Sequence, residues 1–143
     1  MDFTKLEDVI LKHEDYKRFV YNDSLGFATI GIGRCVDHRK GKGISVKEAQ
    51  YLLNNDLVEC EYSMRLYDWY NIHDDVRKCA LIELCFNIGL RGLLGFKNTL
   101  ECLSKKDYVG AAKHLIDSRW AIQVGEGRSR DIAYRIEHGS YQE

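Results

Sequence analysis

No proline occurs among the 143 residues, so turns and helix ends must be set by the 12 glycines and by polar caps. Charge bias is missing too: 21 Lys and Arg stand against 22 Asp and Glu, for a formal charge of −1. Without a basic tail or stripe, nucleic acid is excluded as the main partner. Only the stretch Lys105–Arg135 is locally basic, which leaves room for weak affinity toward an anionic polymer. The five cysteines are odd in number and form no CxxC pair, so neither a disulfide framework nor a zinc ribbon is indicated. Reduced, mostly buried thiols are expected. The opening "MDFTKLEDVILK" lacks the apolar core of a signal peptide, and runs such as "CALIELCF" are too short to cross a bilayer. Synthesis in the cytoplasm without membrane insertion is the expectation.

Several cofactor signatures are absent as well. Gly31-Ile32-Gly33 has Val36 where a dinucleotide fingerprint needs its third glycine, and no Walker-type Gly-Lys-Ser/Thr appears. His13-Glu14 begins like a zincin motif, but Lys17 replaces the second histidine. His38, His73, His114 and His138 show no ligand spacing and read as surface or half-buried residues. No metal or organic cofactor is expected, and no internal repeat is visible.

What is present reads as mainly helical α+β. Thr4 and Glu7 have capping-box spacing ahead of Leu6, Val9 and Ile10, which predicts a helix from about Lys5 to His13. "YKRFVYNDSLGFATIGIGR" is rich in aromatic and β-branched residues and breaks at Asn22–Gly26, a hairpin signature with a third short strand after Gly31. "HRKGKG" reads as a charged loop. Ser45 and Glu48 form a second capping box before a long helix, about Val46 to Leu66. Asp74 is placed to cap a helix whose stripe Val76, Cys79, Ala80, Leu84 and Ile88 predicts a buried centre. A turn region at Gly89–Gly95 and shorter helices near 97–104, 107–117 and 129–138 complete the chain.

Carboxylates carry the remaining chemistry. Glu14 falls where the first helix ends, Asp23 at the hairpin turn, and Thr29 on the returning strand, where it can face Asp23 across the turn. Two carboxyl groups flanking a glycosidic bond act as general acid and water activator, ~6.5–9.5 Å apart when the anomeric centre is inverted. The same residues also fit ordinary turn chemistry and a solvated charge cluster, "HEDYKR". Gly31 and Gly33 permit close backbone approach, to a neighbouring strand or to a ligand.

The arrangement Glu14-x8-Asp23-x5-Thr29 followed by "IGIG" resembles the catalytic signature of phage-type lysozymes, glycoside hydrolase family 24. The similarity continues through "SVKEAQYLLNNDL", "DDVRKCALIELCFNIG", "GFKNTLECL" and "AAKHLIDSRW", in family order and over nearly the whole chain. It implies one two-lobed domain over residues 1–143. The small β-containing lobe would span about 14–44 and the connecting helix about 46–66. Residues 67–143 and the N-terminal helix would form the helical lobe. It also implies Glu14 as the acid that protonates the departing oxygen, Asp23 as an ionised stabiliser of the anomeric carbon, and Thr29 as the holder of the water. Cys35, Phe86, Thr99, His114 and Arg128 fall at substrate-contacting positions; Phe86 fits a core role equally, and Trp120 fits packing. Arg128 matches an arginine that reaches toward the catalytic glutamate.

By the same resemblance the substrate is peptidoglycan, cut with inversion at the β-1,4 bond between N-acetylmuramic acid and N-acetylglucosamine. The protein would be an endolysin, monomeric, made in the host cytoplasm and released to the periplasmic wall by a holin-type partner. Two rival readings are a lytic transglycosylase, which needs only the acid, and a catalytically silent peptidoglycan-binding protein. Arg34 stands where family members often have histidine, so a pH-dependent pairing with Asp56 would become constant or be lost.

Overall fold

The computed structural model describes Met1–Gln142, and its chain divides into two compact units, Met1–Tyr51 and Leu52 onward. The first unit opens with α1 (Thr4–Glu14). The capping box expected from Thr4 and Glu7 does not form. Thr4 lies inside the first turn, where its N–H and hydroxyl both donate to Asp2 Oδ1, at 2.9 and 2.6 Å. The N–H of Glu7 donates to the Phe3 carbonyl instead. Asp15, at φ 62° and ψ 169°, ends the helix and leaves Glu14 as its last residue. Reversal at that point sends the chain into the sheet.

Three antiparallel strands follow in the order β1 (Lys17–Asn22), β2 (Ala28–Gly31) and β3 (Arg34–Cys35). Tyr21 pairs with Thr29 and Asn22 with Ala28, while Thr29 and Ile30 pair with Cys35 and Arg34. Asp23 organises the intervening turn. Its Oδ1 accepts the N–H groups of Leu25 (2.9 Å) and Phe27 (2.8 Å), and its own N–H donates to the Phe27 carbonyl. Gly26 supplies the left-handed residue this turn needs, at φ 85°.

The second capping box forms as expected: Ser45 Oγ accepts the Glu48 N–H and Glu48 Oε1 accepts the Ser45 N–H. It opens α2 (Val46–Met64), which ends two residues short of its predicted boundary and runs across the division between the units.

The second unit is helical: α3 (Asp68–Asn71), α4 (Asp75–Leu94), α5 (Lys97–Ser104), α6 (Tyr108–Ile116), α7 (Arg119–Val124) and α8 (Glu126–His138). Asp74, Asp107 and Ser118 cap α4, α6 and α7 by accepting the N–H groups of Arg77, Gly110 and Ala121. Gly89 interrupts α4 at φ 76°, but helix resumes through Leu94, so the expected turn region shrinks to one residue and Gly95. Buried positions on α4 are Ala80, Leu81, Leu84, Cys85 and Leu93, in one core with Leu100, Leu103, Leu115, Ile132 and Ile136. The inward face is thus turned from the predicted stripe, and Cys79 is exposed. Of the five thiols only Cys85 is buried, against the expectation of mostly buried cysteines; Cys35, Cys60 and Cys102 are half-buried. Burial pushes the Cys60 thiol up to about 12, with the neighbouring Cys85 adding to the rise.

His73 is buried, not at the surface, because its Nδ1 shares a 3.0 Å hydrogen bond with the Tyr108 hydroxyl. The Arg77 guanidinium lies 3.5 Å from the Tyr108 ring centre and donates to the Ile136 and Glu137 carbonyls at the end of α8. Burial, with Arg77 adding to it, lowers the His73 pKa, so the folded state binds that proton less readily than the unfolded chain does. This stabilising contribution is full above the unfolded value near 6.5 and drains away as the pH falls below it, by about 1.4 kcal/mol per pH unit at most. Urea unfolding at pH 7, 6 and 5 should show that decline, and His73→Phe should give a shallower slope.

Candidate active site

Glu14, Asp23, Thr29 and Cys35 all belong to the first unit. Glu14 is exposed at the last turn of α1, where Asp15 breaks the helix. Thr29 is 3% exposed on the central strand, and its hydroxyl donates to the Phe27 carbonyl at 3.0 Å. That bond uses the hydroxyl's proton and leaves its oxygen free to accept from a water. Cross-strand partners share a face, so Tyr21, Thr29 and Cys35 form one row across the sheet. The residue opposite Thr29 is therefore Tyr21, while Asp23 closes the turn opposite Phe27. With Oδ1 holding both turn amides, Asp23 Oδ2 has no protein donor among the described residues.

One contact was not legible from spacing. A Cβ on Gly33 would lie 2.9 Å from both Cδ and Oε2 of Glu14, so the bare backbone of the β2–β3 turn borders that carboxylate. Arg34 anchors the same turn. Its Nε donates to the Gly43 carbonyl (3.0 Å), and its Nη2 donates to both Glu48 oxygens (2.6 and 2.8 Å). Arg34 thus has a constant partner within its own unit, Glu48 on the first turn of α2. The Ser45 N–H and hydroxyl, with smaller help from Arg34, hold the Glu48 carboxyl below its usual range. In the adjoining loop, hydrogen bonds from Arg39 hold Asp37 near about 2.

The other candidates lie in the second unit. Thr99, 1% exposed, and His114 line a groove of about 490 Å³ together with Phe96, Lys97, Asn98 and Asp117. Phe86 is 43% exposed, outside the core, and lines two further grooves. One of these, about 410 Å³, is bounded by Leu53, Leu57, Ile82, Glu83 and Arg128. Arg128 pairs with Glu83 at 3.3 Å, a partner that spacing did not suggest. Trp120 is buried and donates from Nε1 to Asn87 Oδ1 at 2.7 Å, the packing role expected of it. Among the described residues, no group of three or more His, Cys, Asp or Glu could hold a metal ion.

The phage lysozyme family profile matches residues 11–135, so the chain belongs to that family and is a lysozyme-type glycoside hydrolase. It is 26% identical over 164 residues to "Probable T4-type lysozyme 1" of Dictyostelium discoideum, covering 96% of each chain. It is also 27% identical to "Probable T4-type lysozyme 2" of the same organism, covering 98% of each.

Proposed function

We propose that the protein hydrolyses the β-1,4 bond between N-acetylmuramic acid and N-acetylglucosamine with inversion at the anomeric carbon. The observation that carries this reading is the Glu14 carboxyl beside Gly33 of the β2–β3 turn, on the sheet whose hairpin turn is closed by Asp23 and whose central strand carries the buried Thr29 hydroxyl. Glu14 gives its proton to the departing glycosidic oxygen as the bond lengthens. Asp23, whose Oδ2 has no protein donor, faces the positive charge that develops at the anomeric carbon and helps to orient the nucleophile. Thr29 holds a water by its acceptor lone pairs, and that water attacks from the opposite side of the sugar. Cys35, Phe86, Thr99, His114 and Arg128 contact the glycan or its peptides. The setting is host lysis by a monomeric endolysin made in the cytoplasm and released to the wall by a holin-type partner. The two Dictyostelium relatives favour a second setting with the same chemistry, in which walls are digested outside a phage cycle.

The test is product analysis. The purified protein, incubated with intact peptidoglycan, should release fragments ending in reducing N-acetylmuramic acid, and early NMR spectra should show the α-anomer first. Products ending in 1,6-anhydro sugars would replace hydrolysis by transglycosylation. Binding without release of fragments would leave a silent wall-binding protein.

A further inference from the structure

Two glycines, two residues apart, have almost the same positive φ. Gly31 has φ 71° and Gly33 has φ 72°. Both sit in the left-handed region, where a side chain costs roughly 1–2 kcal/mol. Their surroundings differ completely. A Cβ on Gly31 would meet nothing within 4 Å, whereas a Cβ on Gly33 would lie 2.9 Å from Cδ and Oε2 of Glu14 and 3.0 Å from Cγ. Carbon atoms rest about 3.5–4.0 Å apart, so the two groups cannot both keep their places.

Which one yields follows from what holds each. Glu14 is a flexible, exposed side chain at the end of a helix. The residue after Gly33 is Arg34, fixed at both Gly43 and Glu48, and the residues flanking the turn are paired as Ile30 with Arg34. A methyl group at position 33 would therefore displace the carboxylate and leave the turn standing.

We propose that Gly33 is a positioning residue: its missing side chain leaves open the seat that the Glu14 carboxyl occupies, where the acid must stand. This rests on the reading of Glu14 as the general acid. It differs from a role for Gly33 as a bare floor beneath the glycan. A floor would affect substrate binding, whereas a seat affects proton delivery, and a misplacement of about 1 Å costs up to ~10²-fold in rate.

The experiment compares G31A, G33A and E14Q on soluble peptidoglycan glycan strands, with Glu side chains labelled at Cδ for NMR. G33A should shift the Glu14 Cδ resonance and lower kcat roughly 10- to 100-fold with KM within about twofold. G31A, which also places a side chain at positive φ, should leave that resonance in place and kcat within about threefold. A raised KM with kcat intact in G33A, or an unmoved Glu14 resonance, would overturn the seat. Should G33A fold poorly, the E14A background decides. There G33A should lower the melting temperature no more than G31A does, and a larger loss would place the clash elsewhere. Full activity in E14Q would remove the acid role itself, while the resonance comparison would still report on the seat.

Discussion

Glu14→Gln should leave the fold unchanged and lower glycan hydrolysis by roughly 10²–10⁴-fold, the share a general acid commonly contributes. The side chain is exposed and caps nothing, so an amide of equal size keeps its place but has no acidic proton to give. Asp23 should behave differently, because it has two duties. Asp23→Asn keeps an oxygen for the Leu25 and Phe27 N–H groups and removes only the charge, so the turn survives while kcat falls by roughly 10²–10³-fold. Asp23→Ala removes charge and acceptor together. It should lose the same activity and also destabilise the hairpin, since a hydrogen bond to a charged group contributes about 1.5–3 kcal/mol. Circular dichroism melting beside initial rates separates the two. An active Asp23→Asn would show that the residue only builds the turn.

Within the second unit the largest change in stability is expected at Glu83. Its carboxylate pairs with Arg135 (2.5 Å) and Arg128 (3.3 Å), and Arg135 also meets Asp131 at 2.9 Å. Only the Arg135 side chain is truly buried, at 6% exposed against 34% for Glu83 and 47% for Asp131. The two ends of the pair are therefore unequal. Glu83→Ala leaves a buried guanidinium with one half-exposed partner. Breaking a fully buried pair costs ~3–5 kcal/mol; solvent at Glu83 and the remaining Asp131 reduce this to about 2 kcal/mol. Arg135→Met removes the buried charge and its unpartnered Nε, leaves both carboxylates access to water, and should change stability by less than about 1 kcal/mol. Urea midpoints of the two variants should differ in that order, and the reverse order would assign the burial cost to the carboxylate.

Local chemistry was the legible part of this chain. Ser45 and Glu48 specify a helix start because each partner lies within reach along the chain, and the hairpin follows from its own alternation and its glycine-bearing turn. Thr4 and Glu7 show the same spacing, yet Asp2, two residues before Thr4, takes the hydroxyl. The helices at Asp68–Asn71 and Arg119–Val124 are too short to establish a period, and so they left no signal. The rotation of α4 depends on what packs against it, which no window on α4 alone contains. At the candidate site the residue types could be named, but their surroundings could not. Nothing in "GIGR" distinguishes Gly33 from Gly31, or tells Arg34 to pair with Glu48.

Glu48 sits at a crossing of two local structures. One carboxylate completes the cap that starts α2 and also anchors Arg34, whose Nε in turn secures Gly43 at the far side of the charged loop. The loop's closure and the first turn of α2 thus share one carboxylate, and releasing it loosens both. Hydrogen exchange is expected to show the two opening together. The stretch from Arg34 to Glu48 is long, glycine-bearing and almost without regular structure, but energetically it is a single closed ring.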